Sequence, residues 1–345
     1  MSIPLSSEML GSISPSRLKR LACPARISFE QAGAPHKRGI TPSAGIGRTV
    51  HMAMDAAVRG SSAGRAWNEA RSLMATEGFD VDAVPNGRRT RLRFERAAQI
   101  LQTIITEFGP SERHVERRLC STDGELEGTP DLVLVRSTEF IVVDYKSSLV
   151  LSDGEVGEPF VQQLQLYAYL AAESYRLSDG KALLLSLREG KVPVDATPEL
   201  RERAASQARL ARASYNARSP GAQPALPSPD NCVYCPYLCR CEAFWRAVEP
   251  TWSTTIGHAV QGTIAKDPEI SSSGIAAVQL HADAGTLGSR TVVVGGIEGE
   301  YVAAARAGSR IALCGLRSQA GTPDVLRCED RTILGIERDD AADGT

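Results

Sequence analysis

Asp131 closes the segment Gly128-Thr129-Pro130-Asp131, and thirteen residues later comes Asp144-Tyr145-Lys146. Each acid borders a strongly apolar run, Leu132-Val133-Leu134-Val135 and Phe140-Ile141-Val142-Val143, with a short polar break from Arg136 to Glu139 between them. Two such runs read as the adjacent strands of a hairpin. Strands this apolar bury themselves, and a charge beside them is costly unless it is paired or bound to a metal. Carboxylate oxygens are the hard ligands that Mg²⁺ and Mn²⁺ prefer. Lys146, two residues beyond Asp144, shares its face of the strand. Two carboxylates and an ammonium brought together in this way suit the activation of water against a phosphodiester by a bound metal.

The elements around the hairpin must position these groups. Ser14-Pro15-Ser16 opens a helix, with Ser14 as its cap and Pro15 at the first position, and this helix ends near Cys23-Pro24. Residues 33–47 are rich in Gly, Pro and Ser and read as loop. A helix from about Thr49 to Ala57 carries His51, residues 59–90 are mixed, and a helical pattern resumes from Arg91 to Phe108. Val115 to Cys120 reads as a strand before the hairpin, Pro159 to Tyr175 as an amphipathic helix, and Ala182 to Leu187 as a further strand. Thr197-Pro198-Glu199 starts a long helix that ends near Ala217. The composition of these elements is α/β.

Four other groups attract attention. Gln163 and Tyr167 lie four apart on one helix face, where they either orient a phosphate or the lysine, or simply bond each other in a half-buried helix. His51 alone reads as an ordinary packing-helix histidine. Glu116, on the preceding strand, reads as a surface glutamate near enough to join the acidic cluster. Four of the eight cysteines fall within ten residues, Cys232, Cys235, Cys239 and Cys241, after a Pro/Gly-rich connector at 218–230. Such crowding favours a metal centre over disulfides, and the four together suit tetrahedral Zn²⁺.

As a set, His51, Gly128-x-Pro130-Asp131, Asp144-x-Lys146 and Gln163-Leu164-x-x-Tyr167 resemble the RecB-type nucleases of the PD-(D/E)XK superfamily. Cys23-Pro24 and the later Cys232-x2-Cys235-x5-Cys241 are similar to the split iron–sulfur ligand set of AddB-type nucleases and CRISPR-associated RecB-like exonucleases. The likeness covers about residues 14–247. It implies a restriction-endonuclease-like core, a central mixed sheet flanked by helices. It implies that Asp131, Asp144, the Tyr145 carbonyl and His51 bind Mg²⁺ or Mn²⁺. Lys146 would position the attacking water, with Gln163 and Tyr167 in support. Cys23, Cys232, Cys235 and Cys241 would hold a [4Fe–4S] cluster that ties together the two ends of the domain. Cys120, Cys314 and Cys328 fall in strands and read as small core residues.

After Pro250 the texture changes. Apolar runs at Ala276 to Leu280, Thr291 to Val294, Arg310 to Leu316 and Thr332 to Ile336 alternate with turn residues. This is the spacing of a small all-β barrel or sandwich, of OB type by expectation, with few aromatics beyond Trp252 and Tyr301 to stack on bases; a small β domain for protein contact is the alternative. The expected domains are therefore 1–250, the nuclease with its cluster, and 251–345, the barrel with a flexible C-terminal tail.

Bulk numbers narrow the function. The net charge is −2, but residues 1–118 carry 18 Lys/Arg against 11 Asp/Glu, a basic surplus that either tracks a phosphate backbone or is a solvated helix face. No apolar run approaches the length of a membrane span and no secretory leader is evident, which points to the cytoplasm and away from membranes. The expected partner is DNA, single-stranded or with free ends, in repair, recombination or phage defence; the related iron–sulfur nucleases often degrade from 5′ ends. The chain lacks a Gly-x4-Gly-Lys-Ser/Thr loop, so unwinding would need a separate helicase or complex subunit. The competing expectation is a non-catalytic nucleic-acid-binding subunit of a helicase–nuclease or defence complex.

Overall fold

The computed structural model of the chain describes residues 6, 8–33, 42–84, 87–148, 150–152, 154–218, 223–319, 321–329 and 332–336. The chain divides into two compact units, one made of Met9–Lys19 and Ile40–Ala217, the other of Met1–Glu8, Arg20–Gly39 and Arg218–Thr345. Both cysteine-bearing segments, around Cys23 and around Cys232–Cys241, fall in the second unit together with the C-terminal strands. Among the described residues no helix is long and apolar enough to cross a membrane.

The first unit is built on a five-stranded mixed sheet. Its spatial order is Glu112–Val115, Leu132–Val135, Glu139–Lys146, Asp179–Ser186 and Gly190–Val194. The apolar runs around Arg136 form the expected hairpin, with Leu132 opposite Val143 and Val135 opposite Phe140. Glu139–Lys146 then pairs in parallel with Asp179–Ser186, Asp144 lying beside Leu184. A parallel pair cannot be joined by a tight turn, and helix Glu158–Tyr175 supplies the crossover.

Period-2 alternation sorts the strand side chains between two layers. Leu132, Leu134, Ile141, Val143 and Tyr145 pack with helices Pro42–Val58, Ala63–Thr76 and Gly87–Phe108, around Met54, Trp67, Met74, Phe94 and Leu101. Helix Glu158–Tyr175 packs against the two parallel strands and against helix Pro198–Asn216. The architecture is thus α/β with a mixed sheet between helical layers.

Several boundaries differ from the sequence reading, among them the first helix, which ends at Arg20, and the helix read from Arg91, which begins at Gly87. The His51 helix begins at Pro42, because Pro suits a first turn and Gly45 lets the helix approach Phe79 so closely that a Cβ would lie 2.4 Å from its ring. Of the expected loop, residues 34–41 lie outside the described residues. Residues 63–76, within the stretch read as mixed, are helical and bury Ala66, Trp67, Ala70 and Met74. The expected strand Val115–Cys120 is broken at Glu116, whose backbone takes φ +47°, so Glu112–Val115 and Leu119–Cys120 join different sheets. Cys120 is consequently exposed, not a core residue; Cys314 is buried and Cys328 half-buried.

The second unit contains a closed barrel. His258–Ile264 pairs with Ile275–Gly285, which pairs with Arg290–Glu298; this strand runs parallel to Thr322–Arg327, which pairs with Arg310–Gln319, and that strand returns to His258–Ile264. The interior is filled by Val260, Val278, Leu280, Val292, Val294, Leu313 and Leu326. A short helix, Gly299–Val302, follows the third barrel strand. Strand Ile333–Ile336 adds to the outside of Arg310–Gln319. Residues 337–345, the expected tail, and 219–222 of the connector lie outside the described residues.

The cysteine segments meet in this unit. Helix Pro24–Gln31, capped by Cys23, contributes Ala25 and Phe29 to a cluster that includes Cys232, Cys235, Tyr237, Leu238 and Phe244, with Cys23 and Cys241 packed beside them. Ala25 N–H donates to the Pro224 carbonyl and Leu226 N–H to the Cys23 sulfur, fastening the first segment to the second.

Candidate active site

The hairpin brings its two acids to the lip of the sheet. Asp131 immediately precedes the first strand and is 8% exposed; Asp144 lies within the second and is 2% exposed. One Asp131 oxygen accepts from the Tyr145 N–H at 2.5 Å, and the other lies 3.1 Å from Nδ1 of His51. Lys146 forms an ion pair with Asp144, and its Nζ sits 5.7 Å above the Phe160 ring centroid. Gln163 donates from Nε2 to the Tyr167 hydroxyl at 3.2 Å. Gly128 explains part of the Gly-x-Pro-Asp pattern: a Cβ there would lie 2.8 Å from the Tyr167 ring, so glycine admits the tyrosine beside the hairpin.

Burial and crowding set the charges. Desolvation, followed by the negative charge of Asp131, pushes the Asp144 carboxyl up to about 6 against the opposing pull of Lys146. Burial disfavours the charge on His51, yet its hydrogen bond to Asp131 and the two carboxylates together raise it above its ordinary value. Burial pushes the Tyr167 phenol up to about 12, so it stays a neutral hydroxyl.

The helix also places a residue that sequence reasoning missed. Asp55 lies one turn beyond His51 on the same face, and the spacing His51-x3-Asp55 was the available signal. Its Oδ1 is buried without a hydrogen-bond partner. Desolvation and the charges of Glu116 and Asp131 lift its carboxyl to about 7. Glu116 itself is closer than a surface strand glutamate would be: ligand atoms of His51, Glu116 and Asp131 all lie within 4.8 Å of one another. Asp144 is held instead by Lys146. Donors of this kind, carboxylate oxygen with one imidazole, fit a hard divalent cation such as Mg²⁺ or Mn²⁺.

A pH dependence follows. Asp55 and Asp144 bind their protons more tightly in the fold than at the unfolded value of 3.8, and His51 more tightly than at 6.5. Raised folded values contribute stability that is complete below the unfolded values and lost as pH climbs through the folded ones. The melting temperature of the metal-free protein is therefore expected to fall between about pH 4 and pH 7 through the two carboxyls, and further as His51 loses its proton. Thermal melts across that range check this, and a rise over the same interval contradicts it.

The profile of the PD-(D/E)XK nuclease superfamily matches residues 12–242. The chain belongs to the PD-(D/E)XK nuclease superfamily. Membership implies a phosphodiester-hydrolysing enzyme that acts on nucleic acid and belongs to a class that uses divalent metals. No curated protein gives a significant match. Among solved structures the chain is similar to SSO0001, with 14% identity and a TM-score of 0.32 over 68% of this chain and 88% of that one. It is also similar to a candidate exonuclease from Eubacterium rectale, with 6% identity and a TM-score of 0.36 over 61% and 85%. Those scores add nothing to the superfamily assignment.

The cysteines sort into two groups. Burial, then the mutual repulsion of Cys235, Cys23 and Cys241, pushes the Cys232 thiol up to about 12; burial likewise takes Cys235 to about 11 and raises Cys241, with Cys23 again contributing. Cys239 faces elsewhere. Its sulfur donates to the Ile333 carbonyl at 3.2 Å and lies 3.7 Å from the buried Cys314 sulfur. The local set Cys232, Cys235, Cys239 and Cys241 is thus not gathered around one point, because Cys239 is engaged by the barrel strands.

Proposed function

We propose that this PD-(D/E)XK nuclease is a Mg²⁺- or Mn²⁺-dependent deoxyribonuclease of the RecB type, acting on single strands or free ends as an exonuclease in repair, recombination or phage defence. The observation that carries this is the convergence of His51, Asp131, Asp144 and Lys146 at the sheet lip. His51, Asp131, Asp144 and the Tyr145 carbonyl would hold the ion. Once bound, a divalent ion supplies a lowered pKa for water and charge to offset the scissile phosphate. Asp131 is pre-oriented for this by the Tyr145 N–H and His51, so little rearrangement is required of it. Lys146, over the Phe160 ring and paired to Asp144, is a fixed cation that orients the incoming water and meets charge developing on the phosphate. Gln163 and Tyr167, bonded to each other, present an amide and a neutral phenol that support Lys146 and the substrate backbone.

We further propose that Cys23, Cys232, Cys235 and Cys241 hold a [4Fe–4S] cluster. The four sulfurs influence one another while Cys239 is engaged by the barrel strands, which supports the split ligand set over the local one, and Cys23 at the first-ligand position of the resembled family favours iron–sulfur over zinc. The barrel's circular strand order, with its third and fifth strands parallel and a helix after the third, supports an OB-type assignment and a single-strand binding role.

Labelled single-stranded DNA with 5′ or 3′ ends blocked, together with closed circles, tests the reading in the presence of Mg²⁺ or Mn²⁺. The expected result is degradation of linear strands, lost when one end is blocked, with circles left intact. Cleaved circles would replace the exonuclease reading with an endonuclease, and no cleavage of any DNA would reject the function.

A further inference from the structure

We propose that Cys239 and Cys314 form a thiol–disulfide modification site, closed by hydrogen peroxide and reopened by small thiols, that fastens the turn Leu238–Arg240 to the barrel. Three observations converge. The first is direct contact. The two sulfurs lie 3.7 Å apart. A disulfide bond is about 2.05 Å long, so the pair must close by roughly 1.7 Å, a shift that rotation of the two side chains supplies. Cys314 sits in strand Arg310–Gln319, opposite Ile333 of the outer strand. Cys239, in the turn, contacts the same two strands through Ala312 and Ile333.

The second observation is the seat of the Cys239 sulfur. Three acceptors surround it: the Ala312 carbonyl at 3.4 Å, the Ile333 carbonyl at 3.2 Å and the Cys314 sulfur. A thiol carries one proton, so it cannot serve all three, and it is a weak donor to any of them. Exchanging these contacts for a covalent bond to Cys314 therefore gives up little. Gly335 makes the seat possible, because a Cβ there would lie 3.0 Å from the Cys239 Cβ. The glycine lets the turn settle onto the strands, sulfur against sulfur.

The third observation is unequal access. Cys314 is only 1% exposed, whereas Cys239 is half-buried and walls a cavity of about 50 Å³ beside Trp245, Gln261 and Ala312. A polar space of that size admits water or peroxide. Cys239 therefore meets the oxidant first. Its sulfur attacks one peroxide oxygen, the O–O bond breaks, and the thiol proton leaves with the departing hydroxide as water, giving a sulfenic acid. Cys314 then attacks the Cys239 sulfur. The S–S bond forms, the S–O bond breaks, and the Cys314 proton leaves with hydroxide as a second water. Two thiols lose two electrons and two protons, and one peroxide becomes two waters. A small thiol reverses the bond by exchange. The closed bond pins the turn between Cys235 and Cys241 to a barrel strand 75 residues away.

The test treats the reduced full-length protein with hydrogen peroxide. Peptide mapping without reductant is expected to recover Cys239 joined to Cys314, with a mass loss of two hydrogens, and dithiothreitol should return both to thiols. Cys314→Ala should strand Cys239 as a sulfenic acid that dimedone labels, whereas the wild type should lose that label as the disulfide closes. Cys239→Ser should leave Cys314 reduced. Cys239 is half-buried in a turn, so this variant folds even where Cys314→Ala does not. Both thiols free after peroxide, Cys239 joined chiefly to a cysteine other than Cys314, or Cys314 oxidised in Cys239→Ser overturns the proposal.

Discussion

Lys146→Ala is expected to lower DNA cleavage by about 10²–10³-fold, the loss typical when one preorganised charge that stabilises a transition state is removed. The effect has two sources. The ammonium no longer meets charge developing on the phosphate, and Asp144, only 2% exposed, loses the cation that opposes its burial. Asp144 would then protonate more readily and bind metal less well at neutral pH. Asp144→Asn should abolish cleavage to a similar degree by a different route, since it removes a ligand charge outright. The pair has separable signatures in stability. Losing Lys146 leaves the buried Asp144 carboxylate without its ion-pair partner and should lower the melting temperature of the metal-free protein. Losing the Asp144 charge relieves a desolvated carboxylate and should not. Measured cleavage of labelled single strands, run beside thermal melts, reads both. Wild-type rates in either variant would remove these side chains from the mechanism.

Cys23→Ser is expected to yield protein without iron and with a markedly lower melting temperature, whereas Cys239→Ser should keep its iron. Cys23 and Cys232 are separated by roughly 200 residues. Cross-linking a chain loop of that size removes unfolded-state entropy on the order of 5 kcal/mol by the loop-closure relation. The loss should fall on the second unit, where the helix behind Cys23 packs with Phe244 and Leu238. Cys239 instead bonds the Ile333 carbonyl and neighbours Cys314, so serine in its place leaves the four proposed ligands intact. Anaerobic purification, visible absorbance and metal analysis of the two variants give the answer. A zinc-loaded, colourless wild type, or iron lost from Cys239→Ser and kept in Cys23→Ser, would reverse the ligand assignment.

Much of the first unit was legible because its three central strands carry runs buried on both faces and its helices are buried on one. The runs 132–135 and 140–143 have no reading other than strand once Arg136 to Glu139 interrupts them, and the observed hairpin follows. Helix Glu158–Tyr175 was equally plain from its amphipathic spacing. What stayed hidden depended on contacts distant in sequence. Asp55 sits in a packing helix like any solvated acid, and its role in the acidic cluster appears once Glu116 and Asp131 are folded beside it. No glycine marks the backbone reversal at Glu116, so strand propensity carried the expected strand straight through it. Cys239 matched ligand spacing as well as its neighbours did; the direction of its sulfur is set by barrel strands some 75 residues away. Barrel strand His258–Ile264 was missed because His258, Gln261, Gly262 and Thr263 dilute its apolar pattern, although it closes the ring.

The second unit is assembled from both ends of the chain, and this has a consequence for biosynthesis. On the ribosome the Cys23 segment emerges early, while Cys232, Cys235 and Cys241 are still untranslated. At about 5–20 residues per second the interval is on the order of 10–40 s. The nuclease core between them can collapse in that time, but the early thiol must wait for its neighbours. Delivery of the proposed cluster would thereby be confined to the late stages of translation or after release, and a nascent chain stalled before residue 232 would lack three of the four proposed ligands.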